Sequence, residues 1–244
     1  MSYHVENTVC PECRKRGNDR SGNNLGVFSD GHCVCWNCGH FIPATSNGKC
    51  AEYVQHPVTR DAVVVCLPED VSSVLPPHCM DWLGQYGITS REIVEHKLMY
   101  SPHWDQLIFP YFDSNNNLLA YQARNFSTES KQKWWSQGNL SQILHILPLR
   151  EKYDKIILVE DIVSAIKVSR WGSVMPLFGC ITGLERLRRL SLLTPRVTHW
   201  LDPDKRGEAL KWSHKASLFG MSGGVIFTEK DPKECSDEEI EEFL

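Results

Sequence analysis

From Lys155 onward, short continuous apolar runs alternate with longer stretches whose apolar residues fall three or four apart. Continuous runs bounded by turn formers read as buried strands, and the wider spacing reads as helix. The expected order is strand 155–159, helix 161–170, strand 173–177, helix 182–192, strand 197–201, helix 207–219, strand 224–228 and helix 236–243. Apolar strands that alternate with helices predict a parallel sheet covered on both faces. Upstream, 107–112 and 118–121 flank the turn formers Asp113-Ser114-Asn115-Asn116-Asn117, which predicts a hairpin. Met80, Trp82, Leu83 and Tyr86 predict a short helix stopped at Gly87. Thr89 is placed to cap a second helix, with Glu92 at the capping-box position and Ile93, Val94 and Leu98 as its apolar face.

The first 42 residues differ: they are rich in Cys, Gly and Asn and too short for an apolar core, so they need a metal or similar staple to fold. Residues 43–76 carry turn formers and read as a linker with a strand at 62–66. The organisation expected is therefore 1–42, a metal-stapled domain; 43–76, a linker; 77–150, a hairpin subdomain; and 151–244, a parallel-sheet subdomain ending in an acidic helix.

Composition narrows the class. The 244 residues are 41% apolar and 23% charged, with no apolar run long enough to span a bilayer. The opening Met1-Ser2-Tyr3-His4-Val5-Glu6 lacks the layout of a secretion signal, so the expectation is a cytoplasmic protein without a membrane partner. Ten cysteines in a reducing compartment point to metal rather than disulfides. The net charge of −4 argues weakly against a nucleic-acid partner. Local basic clusters at Arg14-Lys15-Arg16, Arg186-Arg188-Arg189 and Lys205-Arg206 can still serve a phosphate backbone, or be solvated faces.

Two constellations carry chemistry. Cys10-x2-Cys13 and Cys35-x2-Cys38, 21 residues apart, are two knuckles of a closed tetrahedral Zn²⁺ site. Cys33, and less strongly His32 and His40, compete as ligands. Asp202 and Asp204 follow the run 197–201, and Glu160 ends the run 156–159. Carboxylates at the carboxyl ends of strands stand where an open α/β sheet binds its ligand, and three acidic oxygens suit Mg²⁺. The alternative is that such acids cap the following helices, as Asp161 and Asp204 could.

The stretch Phe28-Ser29-Asp30-Gly31-His32, with the paired cysteines, resembles the zinc ribbon of short-tailed-bacteriophage primases, which are of the DnaG type. That resemblance implies that the ribbon reads a trinucleotide in single-stranded template DNA, with Asp30, His32 and Trp36 as readers. Lys155-Ile156-Ile157-Leu158-Val159-Glu160, His199-Trp200-Leu201-Asp202-Pro203-Asp204 and Glu229-Lys230-Asp231-Pro232-Lys233 resemble the three acidic motifs of a TOPRIM domain. The implied role of Glu160, Asp202 and Asp204 is catalysis on Mg²⁺, with Mn²⁺ as a substitute. Asp231 would bind a further metal or orient Lys233. The sequence departs from the family after the glutamate, where Asp161 and Ser164 stand near the positions usually held by Gly and an acid. Residues 107–111, 120–124 and 133–136 are similar to the segment before TOPRIM in DnaG-type primases, implying that Arg124 and Lys133, and more weakly Lys131, bind nucleotide phosphates.

The fold class expected is thus mixed: a zinc ribbon, then an RNA-polymerase-type domain with a hairpin subdomain and a TOPRIM α/β subdomain. The implied activity is DNA primase, a nucleotidyltransferase making RNA primers from ribonucleoside triphosphates on single-stranded DNA. A separate replicative helicase and DNA polymerase are its implied partners, in the host bacterial cytoplasm for a phage-encoded chain. The rivals are a TOPRIM nuclease using the same metals and a non-catalytic binding module. Gly220-Met221-Ser222-Gly223-Gly224 mimics a hydrolase elbow but runs from helix into strand, the reverse of what that motif needs. No G-x-x-x-x-G-K-[ST] motif is present, so the acidic end of the chain is expected to dock on a helicase encoded separately.

Overall fold

The computed structural model describes residues 4–15, 19, 22–38, 40–44, 65–128 and 132–244. The chain divides into two compact units, Met1–Ala62 and Val63–Leu244.

The first unit is a four-stranded antiparallel sheet of β1 (His4–Thr8), β2 (Leu25–Phe28), β3 (Cys33–Cys35) and β4 (Phe41–Ile42), with the short helix α1 (Pro11–Lys15) after β1. Its core holds Leu25 and Ile42 beside four cysteines, Cys10, Cys13, Cys33 and Cys35. So little aliphatic surface does not offset the entropy of ordering the chain.

The second unit begins with α2 (Pro77–Gly84) and α3 (Ser90–Glu95). Thr89 and Glu92 close the predicted capping box on α3, an arrangement worth about 1 kcal/mol. The helix is shorter than its apolar pattern implies: Val94 is exposed, and Leu98 is buried only beyond the helix, after Lys97 adopts a positive φ of 53°. The hairpin of β6 (Gln106–Phe112) and β7 (Leu118–Asn125) forms as expected, but it lies within a four-stranded sheet, between β5 (Met99–Ser101) and β8 (Trp134–Gly138). The stretch read as linker ends early. Val65, Leu67 and Val71 pack on one face of this sheet, and Ser72 pairs with Tyr100, so 65–76 belongs to the second unit. Val65 and Cys66 lie outside any strand; the rest of the expected strand at 62–66 falls outside the described residues.

Beyond Tyr153 the alternating pattern gives the parallel sheet. It comprises β9 (Ile156–Val159), α4 (Ile162–Val168), β10 (Val174–Pro176), α5 (Leu184–Leu190), β11 (Arg196–His199), α6 (Arg206–Ala216), β12 (Ser222–Val225) and α7 (Asp237–Phe243). The strand order is β10-β9-β11-β12, all parallel. Ile156, Ile157, Leu158 and Val159 are fully buried, as a strand covered on both faces requires. Gly220 ends the α6 region in the left-handed conformation, φ 73°. At Gly223 a Cβ would stand 2.1 Å from the Ser213 carbonyl oxygen, so the glycines of the false elbow let β12 approach α6. The acidic α7 is not a free tail: Ile240 is fully buried, Phe243 packs on Trp200, and Ser236 and Glu239 close a capping box.

Candidate active site

The chain leaves β9 towards β10 on one side and, through α5, returns to β11 on the other side of β9. The carboxyl ends of β9 and β11 are therefore adjacent while their following segments diverge, which opens a crevice at a topological switch point. Glu160 follows β9 directly. Asp202 follows β11 after Trp200 and Leu201, and Trp200 is locked by Trp200 N–H donating to the Leu158 carbonyl at 2.8 Å and Nε1–H donating to Thr228 Oγ1 at 3.0 Å. Asp202 and Asp231 each precede a proline, and each has the extended backbone that proline imposes on its predecessor, ψ 151° and 147°.

These acids feel one another. Burial raises the Glu160 pKa; Lys205 pulls it back down, while Asp204 and Asp161 push it further up. Burial likewise lifts Asp202 to about 7, against the pull of Lys233 and with help from Asp231, Glu160 and Asp161. Glu160 Oε2 and Asp202 Oδ1 are buried and have no hydrogen-bond partner. Anionic oxygens without partners at the mouth of a sheet suit a divalent cation, so the donor set fits Mg²⁺. Asp204 is exposed and paired with Lys205, which holds its carboxyl below the usual range. It does not cap the next helix, whereas Asp161 does cap α4, accepting from the N–H groups of Val163 and Ser164. Asp231 pairs with Lys233 at 2.7 Å, and Lys233 also reaches Asp161 at 3.1 Å.

Arg124 sits on the face of the antiparallel sheet turned to the second unit's main core. Its guanidinium carbon lies 5.3 Å from the Trp82 ring, 5.8 Å from Trp134 and 6.0 Å from Phe126, and its buried Nε has no partner. Three rings fix the group by cation–π contact and leave donors to spare. Lys133 is exposed one residue before β8; Arg124 pairs with Trp134, and Lys133 stands opposite Asn125, whose N–H donates to the Lys133 carbonyl at 2.9 Å. Lys131 and Arg16 lie outside the described residues. The arginines of α5 form no common face: Arg186 is buried and donates to the carbonyls of Leu177 and Leu140, Arg188 pairs with Glu185, and Arg189 donates to the Gln142 carbonyl. Arg186 is thus a core strut, which its near-helical spacing with the other two concealed.

In the first unit Cys10, Cys13, Cys35 and Cys38 bring their sulfurs within 4.8 Å of one another, and Cys33 lies outside this set. Both knuckles have their N–H···S bond, Cys13 N to Cys10 Sγ at 3.4 Å and Cys38 N to Cys35 Sγ at 3.3 Å. Burial raises the Cys35 thiol, but the N–H groups of Cys38 and Asn37 outweigh it and leave the pKa at about 7. The cluster fits a zinc ribbon. Among the described residues it is the one such group found within that distance; the carboxylates of the second unit are not drawn together to the same degree.

The reader candidates share one end of the ribbon. Asp30 and Gly31 make the β2–β3 turn, with Gly31 at φ 88°. Asp30 Oδ1 is 2.5 Å from His32 Nδ1, and the His32 ring stacks on Phe28 at 4.3 Å and 9°. Trp36 is 57% exposed, anchored by Nε1–H to Asn7 Oδ1 at 3.0 Å, and its ring covers Gly26, where a Cβ would clash at 2.3 Å. Phe41, 58% exposed and 5.8 Å from His32, extends the aromatic surface. Sequence reading passed over it because a lone Phe after a knuckle has no periodicity. It also passed over Lys167, a buried lysine in an apolar helix, which is itself a signal.

The primase fragment of the bacteriophage T7 primase-helicase protein superposes with a TM-score of 0.54 at 16% identity, covering 99% of this chain and 100% of that one. The zinc-binding and RNA polymerase domains of the Aquifex aeolicus primase give 0.54 at 14% identity, covering 99% and 76%. The catalytic core of the E. coli primase gives 0.51 at 12% identity, covering 67% and 71%. The fold is that of these primase domains. No family model and no curated protein sequence matches the chain. Among the described residues no helix is long and apolar enough to cross a membrane.

Proposed function

We propose that this chain is a DNA primase of the DnaG type, phage-encoded and acting in the bacterial cytoplasm, that makes short RNA primers on single-stranded DNA. The observation that carries the reading is the pair of buried, partnerless oxygens on Glu160 and Asp202, in a switch-point crevice, on a fold shared along its length with a primase fragment. The four cysteines would hold one structural Zn²⁺, and Glu160, Asp202 and Asp204 would hold catalytic Mg²⁺, with Mn²⁺ able to replace it. When bound, Mg²⁺ would supply charge for the attacking 3′-oxygen and the departing pyrophosphate. Glu160, with its raised pKa, would assist removal of the hydroxyl proton. Arg124 and Lys133 grip the triphosphate, the guanidinium through paired oxygens and the ammonium as a point charge. Asp30 and His32 offer hydrogen bonds to template base edges, and Trp36 offers a stacking face. A separate helicase and DNA polymerase would take the template and the primer.

The test is incubation with random single-stranded DNA, labelled ribonucleotides and Mg²⁺. Short RNA products support the assignment. DNA cleavage without synthesis would transfer it to a TOPRIM nuclease.

A further inference from the structure

Lys233 enters the acidic crevice from the turn after β12. Its Nζ donates to Asp231 Oδ2 at 2.7 Å and to Asp161 Oδ2 at 3.1 Å, with only 17% of its side chain exposed. The backbone that aims it is fixed twice. Pro232 sets the turn, and the buried Lys167 of α4 donates from Nζ to the carbonyls of Lys233, at 3.1 Å, and Cys235, at 2.5 Å. Asp161 is engaged on both oxygens, Oδ1 accepting from the N–H groups of Val163 and Ser164 and Oδ2 from the Ser164 hydroxyl. The crevice thereby sorts its acids. Asp161 and Asp231 share one internal ammonium, while Glu160 and Asp202 each keep a buried oxygen with no partner.

We propose that Lys233 is a resident cation of this site, withdrawing Asp161 and Asp231 from metal binding so that a single divalent ion is centred on Glu160 and Asp202. The proposal rests on the metal reading given under Proposed function. An ammonium at hydrogen-bond distance neutralises charge that would otherwise recruit a second cation. Removing it leaves two carboxylates uncompensated in a partly buried setting, and a divalent ion is the group able to replace it. Asp231 then serves as the counter-ion of Lys233 rather than as a ligand.

The measurement is calorimetric titration of the full, zinc-replete chain with Mn²⁺ alone. Wild type should take up one Mn²⁺, and Lys233→Met should gain a second site or bind the first at least tenfold more tightly. Asp231→Asn, which keeps Lys233 paired to Asp161, should leave Mn²⁺ affinity within twofold, and this arm stands if the Lys233 variant does not fold. Folded Lys233→Met with one site of unchanged affinity, or a tenfold loss in Asp231→Asn, overturns the proposal. Wild type that binds no Mn²⁺ overturns the metal reading beneath it, and the proposal with it.

Discussion

The ribbon and the acidic crevice are two candidate metal sites built on opposite principles. The ribbon has almost no apolar core, and its four sulfurs already converge within 4.8 Å. The crevice stands on a large core, with β9 wholly buried beneath it, and its carboxylates do not converge to that distance. On the proposed reading, one site is assembled because its metal would replace a core, and the other is left open because its ion would share ligands with substrate and water. If the proposed function holds, the contrast teaches that convergence of ligands marks a structural site, whereas unpartnered buried oxygen marks a working one.

The most severe way to break this contrast is to remove the metal from the ribbon. Chelation of zinc, or Cys13→Ser, should unfold the first unit, since structural zinc supplies on the order of 10 kcal/mol to domains of this size. Proton NMR should lose the dispersed signals of the ribbon while those of the second unit persist. A ribbon that stays folded without metal would erase the distinction.

Next in size is Asp202→Asn. Primer synthesis should fall on the order of a thousandfold. Because burial holds Asp202 at about 7, the variant should also show no loss of stability at pH 8, where wild type must keep a buried carboxylate charged. A primer-synthesis assay with labelled ribonucleotides checks the first effect, and urea denaturation at pH 8 checks the second.

The smallest effect sharpens the role of the core under the crevice. His199 on β11 is fully buried, its Nε2 bonded to Thr182 Oγ1 at 2.8 Å and its Nδ1 without a partner, and burial pushes its pKa down to about 4. A depressed histidine contributes stability that is complete above its ordinary value of 6.5 and is lost as pH falls towards 4. Wild type should lose about 3 kcal/mol more than His199→Gln across that window, read from denaturation midpoints. Equal losses would show that His199 is not held neutral by the fold.

Much of this was legible in the chain. Strand and helix periods located every element of the parallel sheet to within a few residues, because both faces are covered and the apolar runs are unbroken. The knuckle spacing picked out the four convergent cysteines and left Cys33 open, since spacing alone does not say which sulfur of Cys33-x-Cys35 turns inward. What escaped had non-local causes. β5 and β8 are strands because of the hairpin they flank, and residues 65–71 are ordered by the sheet face they cover. Arg186 looked like surface because its two carbonyl partners come from distant segments. The pairing of Lys233 with Asp161 joins residues 72 apart and has no sequence signature.

The measurement that bears most directly on the central claim is anomalous diffraction from crystals of the protein soaked in Mn²⁺ and a non-hydrolysable ribonucleoside triphosphate. The account predicts a Mn²⁺ peak bounded by Glu160, Asp202 and Asp204, with the triphosphate extending towards Arg124 and Lys133. A crevice without Mn²⁺, or a triphosphate seated elsewhere in the second unit, would contradict it.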